Sequence, residues 1–166
     1  MVHSIVLEMK KLLGNLDGWL EKAIAHAAAK KFDPDVLLQA RLAPDMFPLM
    51  RQIQSACDQA KFAAARAAGR EPPSHPDEEK TMAEARARIA TVVRYLDGFA
   101  PGDFEGVAGR SVSLQRWEGK SMTAADFVIE LAMPNFFFHL TTAYALLRHN
   151  GVDLGKRDYL GPLTLR

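Results

Sequence analysis

Apolar residues recur along this chain at alternating spacings of three and four, the period of a helix buried on one side. Ile5, Met9, Leu12, Leu16, Trp19, Ala23 and Ala27 form the first stripe and predict a helix from about Ser4 to about Ala29. Lys30 and Lys31 suit its negative end, and Asp33-Pro34 marks the break that follows. A helical turn is expected within Val36 to Leu42, before Pro44. Asp45 is placed to cap a second helix, with Pro48 tolerated in the first turn, where an N–H has no intrahelical partner. The second stripe is Met46, Met50, Ile53, Cys57, Ala60, Ala64 and Ala67, and Gly69 supplies a stop.

Between Gly69 and Lys80 the composition turns to Pro, Ser, His and acids, which predicts a surface connection. Thr81-Met82-Ala83-Glu84 has capping-box spacing, in which hydroxyl and carboxylate each satisfy an orphan backbone donor. A third helix follows to about Phe99 on the stripe Met82, Ala85, Ile89, Val92, Leu96 and Phe99, with Arg86, Arg88 and Arg94 on its other faces. The period then lapses. Val112, Leu114, Arg116 and Trp117 approach strand alternation, so a short hairpin or extended excursion is expected between Phe104 and Lys120. Thr123 to Asp126 can start another helical piece, which Pro134 should kink or interrupt and Asn135 restart as a cap. Phe136, Leu140, Ala143, Tyr144 and Leu147 form the core face of this last helix, and Asn150-Gly151 ends it. The tail from Val152 to Arg166 reads as a loop over the bundle end. The fold class expected is all-α: an up-and-down four-helix bundle with an excursion before the last helix, one domain over residues 1–166.

Charge narrows the partners. The 21 Lys and Arg against 20 Asp and Glu leave a net +1, so no global field draws the chain to nucleic acid or an anionic membrane. No apolar run approaches the roughly 20 residues of a spanning helix. Met1 to Met9, with Glu8, resembles no signal or transit peptide. Cys57, the single cysteine, cannot close an internal disulfide and sits on an apolar stripe as a core residue. A reducing, cytoplasmic setting is expected.

The chemistry-bearing residues gather at the borders of the stripes. Asn135, His139, Thr142 and His149 border the core face of the last helix, where His149 and Arg148 also suit the negative helix end. A half-buried His139 suits a metal ligand, a general base or a structural role. Metal ligands on one helix need spacings of three or four, and here those places hold Asn135, Phe136, Thr142 and Ala143. His139 is therefore the one metal candidate, and a site would need Asp58 or Gln54 from another helix. Gln54, Asp58 and Lys61 form a polar strip on the second helix, either a solvated face or one wall of a pocket with His139, Asn135 and Tyr144.

Pro134-Asn135-Phe136-Phe137-Phe138-His139, then Tyr144, Leu147-Arg148-His149-Asn150-Gly151 and Leu154-Gly155-Lys156, resemble an uncharacterised bacterial domain-of-unknown-function family of the DinB/YfiT-like superfamily. The resemblance spans nearly the whole chain and implies a four-helix bundle, often homodimeric, among metal-dependent enzymes that include thiol transferases and hydrolases. It also implies a metal site of one histidine on the second helix and two, four apart, on the last. This chain departs from that pattern: no histidine lies between Met46 and Ala68, and Ala143 stands four residues after His139. The first expectation is thus a small-molecule-binding bundle without the three-histidine site and without a cofactor. The alternative is a divergent metal-dependent transferase or hydrolase using His139 with zinc or nickel. Whether the chain is an enzyme stays open, and a homodimer through the Ala-rich second helix is expected in either case.

Overall fold

The computed structural model describes residues 1–165. Its long helices are α1 (Val2–Lys30), α2 (Leu49–Ala67), α3 (Met82–Leu96) and a last helical run. That run begins as α4 (Ala124–Asp126), passes through a π-helical turn (Phe127–Ala132) and continues as α5 (Met133–His149). A short α6 (Lys156–Leu160) follows where a loop was expected; Arg166, the end of that tail, lies outside the described residues. The excursion is a hairpin of β1 (Ser111–Ser113) and β2 (Ser121–Thr123), with Val112 opposite Met122.

The ends of the helices follow local chemistry. α1 stops where Lys31 turns left-handed at φ 60° and Phe32 donates its N–H to the Ala27 carbonyl at 3.0 Å. Asp33 then caps a 3₁₀ turn, Pro34–Gln39, by accepting from the Asp35 N–H at 2.9 Å. Asp45 does not cap α2: the helix begins later, with Pro48 as its extended N-cap residue. Thr81 and Glu84 close the expected capping box on α3, which ends at Leu96, before Phe99.

The last helix departs most from expectation. Pro134 does not interrupt it and Asn135 is not a cap, because the start belongs to Thr123, whose hydroxyl accepts from the Asp126 N–H at 3.1 Å. A proline inside a regular helix clashes with the carbonyl four residues back. Here the preceding turn bonds five residues back, the Met133 N–H reaching the Val128 carbonyl, and the helix passes Pro134 without breaking.

All four stripes enter one contiguous core centred on Leu16, Trp19, Ile53, Ala60, Ile89, Phe136 and Leu140. Arg86 on α3 pairs with Asp17 at 2.7 Å and with Glu21 at 2.6 Å, and Lys10 pairs with Asp97, so α1 and α3 are antiparallel. Asp58 meets Arg88 midway along both helices, and just beyond their C-terminal ends Arg70 lies 4.8 Å from the Phe99 ring centre and pairs with Asp103, so α2 and α3 are parallel. Trp19 meets Tyr144 edge-on at 5.5 Å and His26 lies beside Gly151, so α1 and α5 are parallel. The four-helix bundle is formed with up-down-down-up directions. Its α2–α3 connection must return along α2, whose 19 residues rise about 28 Å. Residues 68–81, at up to about 3.3 Å each, are long enough to do so.

Candidate functional site

His139 faces α2, but its partner is Gln52 rather than the Gln54–Asp58–Lys61 strip. Both side chains are buried, His139 at 8% and Gln52 at 1% exposure, with Nδ1 and Oε1 2.7 Å apart. Gln52 also donates its Nε2–H to the Phe47 carbonyl at 3.0 Å, and a carbonyl can only accept. The amide oxygen therefore faces His139, Nδ1 carries the proton, and Nε2 of the neutral ring keeps a free lone pair. Burial, helped by the nearby Arg51 charge, lowers the His139 pKa and favours that neutral form. Phe138 meets the imidazole edge-on at 5.2 Å, while Arg51 lies over the Phe47 ring at 5.6 Å. Phe47 and Phe138 are 51% and 55% exposed.

The helix-two strip is drawn to the opposite side, against α3 and the 69–80 connection. Lys61 is 2% exposed and donates to Asp58 at 2.9 Å, with the His75 ring 3.5 Å away. Arg88, expected off the apolar stripe of α3, turns inward. It reaches Asp58, Glu79 and the Pro76 carbonyl, each at 3.0 Å, and Asp77 at 3.1 Å. Gln54 donates to Glu79 at 2.8 Å, and Arg51 pairs with Asp77. Burial alone would raise the Glu79 pKa, but the hydrogen bonds from Gln54, the backbone and Arg88 outweigh it and hold the carboxyl low. Burial, followed by the Lys61 and Arg88 charges, lowers the His75 pKa. Cations and carboxylates balance within this cluster, and its effect is to latch the connection into the groove between α2 and α3.

Tyr144 goes to a third place. It packs edge-on against Trp19 at 5.5 Å and Tyr159 at 5.7 Å, and its hydroxyl donates to the Leu154 carbonyl at 3.5 Å. With Trp19 donating to the Asp158 carbonyl at 3.0 Å and Asn15 to the Tyr159 carbonyl at 2.9 Å, it anchors α6 to α1. Asn135 remains one turn before His139, half-buried. The six candidates thus divide into His139 with Asn135, the latch holding Gln54, Asp58 and Lys61, and the Tyr144 anchor. The residues missing from the expectation are Gln52 and Arg88. Each carries a visible signal: Gln52 lies three residues after Leu49 and four before Ala56, and Arg88 three after Ala85 and four before Val92, so both are polar exceptions on buried faces.

The side chains around His139 do not suit a transition metal. Its Nδ1 is bound to an amide, a poor ligand beside imidazole or thiolate, and the nearest charge is the cationic Arg51. Among the described residues no three His, Cys, Asp or Glu side chains are grouped as a metal ion requires. Cys57 is fully buried, with burial pushing its thiol up to about 12, and it behaves as core. The Ala-rich face expected to support a dimer is also internal, since Ala63, Ala64, Ala65 and Ala67 are fully buried within one chain. No helix is long and apolar enough to cross a membrane among the described residues.

Comparison with known proteins agrees with this architecture. Residues 1–160 match the family model described as "Domain of unknown function (DUF1993)". A solved structure of a DinB family member protein from Shewanella denitrificans is 49% identical, with a TM-score of 0.97 over 100% of this chain and 95% of that one. No curated protein matches. The chain therefore belongs to the domain-of-unknown-function family DUF1993 and is a DinB-like four-helix bundle.

Proposed function

We propose that this protein is a small-molecule-binding DinB-like bundle whose ligand meets His139 as a neutral hydrogen-bond acceptor, without the three-histidine metal site. The observation that carries this reading is the Gln52 amide: tied to the Phe47 carbonyl, it fixes the proton on Nδ1 and leaves Nε2 unprotonated. The fitting ligand is compact and neutral, with one O–H or N–H donor for Nε2 and an apolar body for Phe47 and Phe138. Asn135, one turn away, is the second polar contact. Gln54, Asp58, Lys61 and Tyr144 leave the ligand set because their partners lie elsewhere. The alternative, a metal-dependent transferase or hydrolase, finds one imidazole and one amide where it needs three ligands. We further propose a cytoplasmic setting, in keeping with an unpaired buried cysteine, and a homodimer through a face other than the Ala-rich one.

Phenol is a suitable probe because it combines an aromatic body with one donor. Thermal-shift titration should show saturable stabilisation of the wild type, a weaker effect from benzene, and loss of the phenol effect in His139→Phe. Equal responses to phenol and benzene, or an undiminished response in the variant, would refute the acceptor role. Elemental analysis of untagged protein should find no stoichiometric zinc or nickel; such a metal, lost in His139→Ala, would favour the enzyme reading. Light scattering at micromolar concentration tests the dimer, and the mass of one chain would refute it.

A further inference from the structure

Far along α2 from His139, a groove of about 320 Å³ opens between three elements. Gln59, Phe62 and Arg66 line it from α2, Leu114 and Arg116 from the hairpin loop, and Phe127 and Leu131 from the π turn. Its volume is near the lower end for ligand sites. Its two arginines differ from those of the latch: neither forms an ion pair among the described residues. No carboxylate lines the groove.

Arg66 is held in place without a direct ion pair. Its guanidinium carbon lies 4.4 Å from the Phe62 ring centre and 5.4 Å from that of Phe127, so two aromatic faces fix the fork while its N–H donors keep no acidic partner. Burial lowers its pKa; Glu71 opposes that shift and the like charge of Arg116 adds to it. An anion between the two cations would relieve their repulsion. The π turn contributes too, because Phe127 and Leu131 supply an apolar wall beside this charge, and such turns recur where a helix is reshaped for function.

We propose that this groove binds a small amphipathic carboxylate, its charged group held between Arg66 and Arg116 and its apolar body against Phe62, Leu114, Phe127 and Leu131. Guanidinium forks match carboxylate geometry, and the apolar walls exclude fully hydrated inorganic anions as the best occupants. The site is separate from His139.

Amide NMR titration with 4-phenylbutyrate tests the proposal, with acetate supplying charge without a body and 4-phenylbutanol a body without charge. Saturable shifts centred on residues 59–66, 114–116 and 127–131 are expected for 4-phenylbutyrate, with each control at least tenfold weaker. Arg116→Gln, at an exposed position that leaves the core untouched, should weaken binding at least tenfold. Arg66→Gln should do the same, while His139→Gln should leave the affinity unchanged. The proposal is overturned if acetate or 4-phenylbutanol binds as tightly, if Arg116→Gln binds like the wild type, or if shifts at these residues do not saturate.

Discussion

Two buried polar residues, His139 and Arg88, set what single substitutions and protons do to this protein. Burial lowers the pKa of His139 and of His75 below the ordinary 6.5, so the unfolded chain binds protons that the folded chain refuses. Stability should therefore fall as pH drops below 6.5 towards the folded-state values. Glu79, held low in the native state, adds a loss in the same direction only below its ordinary 4.5. Urea denaturation across this range checks the sign, and His139→Gln should flatten the upper part of the curve. A stability that rises on acidification from neutral pH would contradict it. Arg88 has the larger energetic effect. Its 2% exposed side chain holds Asp58 and Glu79, so Arg88→Met leaves Asp58 to Lys61 and Glu79 to Gln54 alone and should cost about 2–3 kcal/mol in urea denaturation. Arg88→Lys should not restore it, because one ammonium cannot span the four partners that the fork reaches. In the sequence His139 stands at the border of an apolar face, and Arg88, read onto another face, is three residues after Ala85 and four before Val92. Their partners are not legible there, since helical spacing relates residues within a helix and leaves open which neighbour each face will meet.

At the level of elements, the Thr81–Glu84 box and the Gly151 stop were readable in the sequence, whereas the Asp45 cap and the outcome at Pro134 were not. The Thr81–Glu84 capping box involves only its own turn, and Thr81→Ala should cost about 1 kcal/mol in chemical denaturation. Gly151 is likewise local: at φ 87° it ends α5, and an added Cβ would also lie 3.4 Å from the His26 ring. Gly151→Ala should cost about 1–2 kcal/mol by the same measurement, whereas an unchanged midpoint would refute the left-handed requirement. Pro134 shows the contrary case. Its sequence signal is a break, but the outcome depends on whether the carbonyl it would strike can be moved aside. The π turn over Phe127–Ala132 does that, and no composition pattern in those residues announces it.

Across the whole molecule, four stripes sufficed to establish the bundle, whereas the helix directions and the grouping of polar residues depended on the path of the 69–80 connection. Arg88, Gln54 and Lys61 hold that connection along α2, which turns the helix-two strip away from His139 and divides one expected pocket into separate sites. The contiguous core predicts that the chain unfolds as one cooperative unit, with coincident transitions by circular dichroism and tryptophan fluorescence; separated transitions would reveal independent parts. Within this frame one imidazole, that of His139, decides what the protein can bind. Long-range proton–nitrogen NMR of the histidine rings at neutral pH, recorded before and after adding zinc, tests it most directly. The His139 signals should show a protonated Nδ1 and an unprotonated Nε2 that zinc does not shift. A proton on Nε2, a doubly protonated ring, or a stoichiometric zinc-induced shift at Nε2 would rule out a neutral, metal-free acceptor at His139.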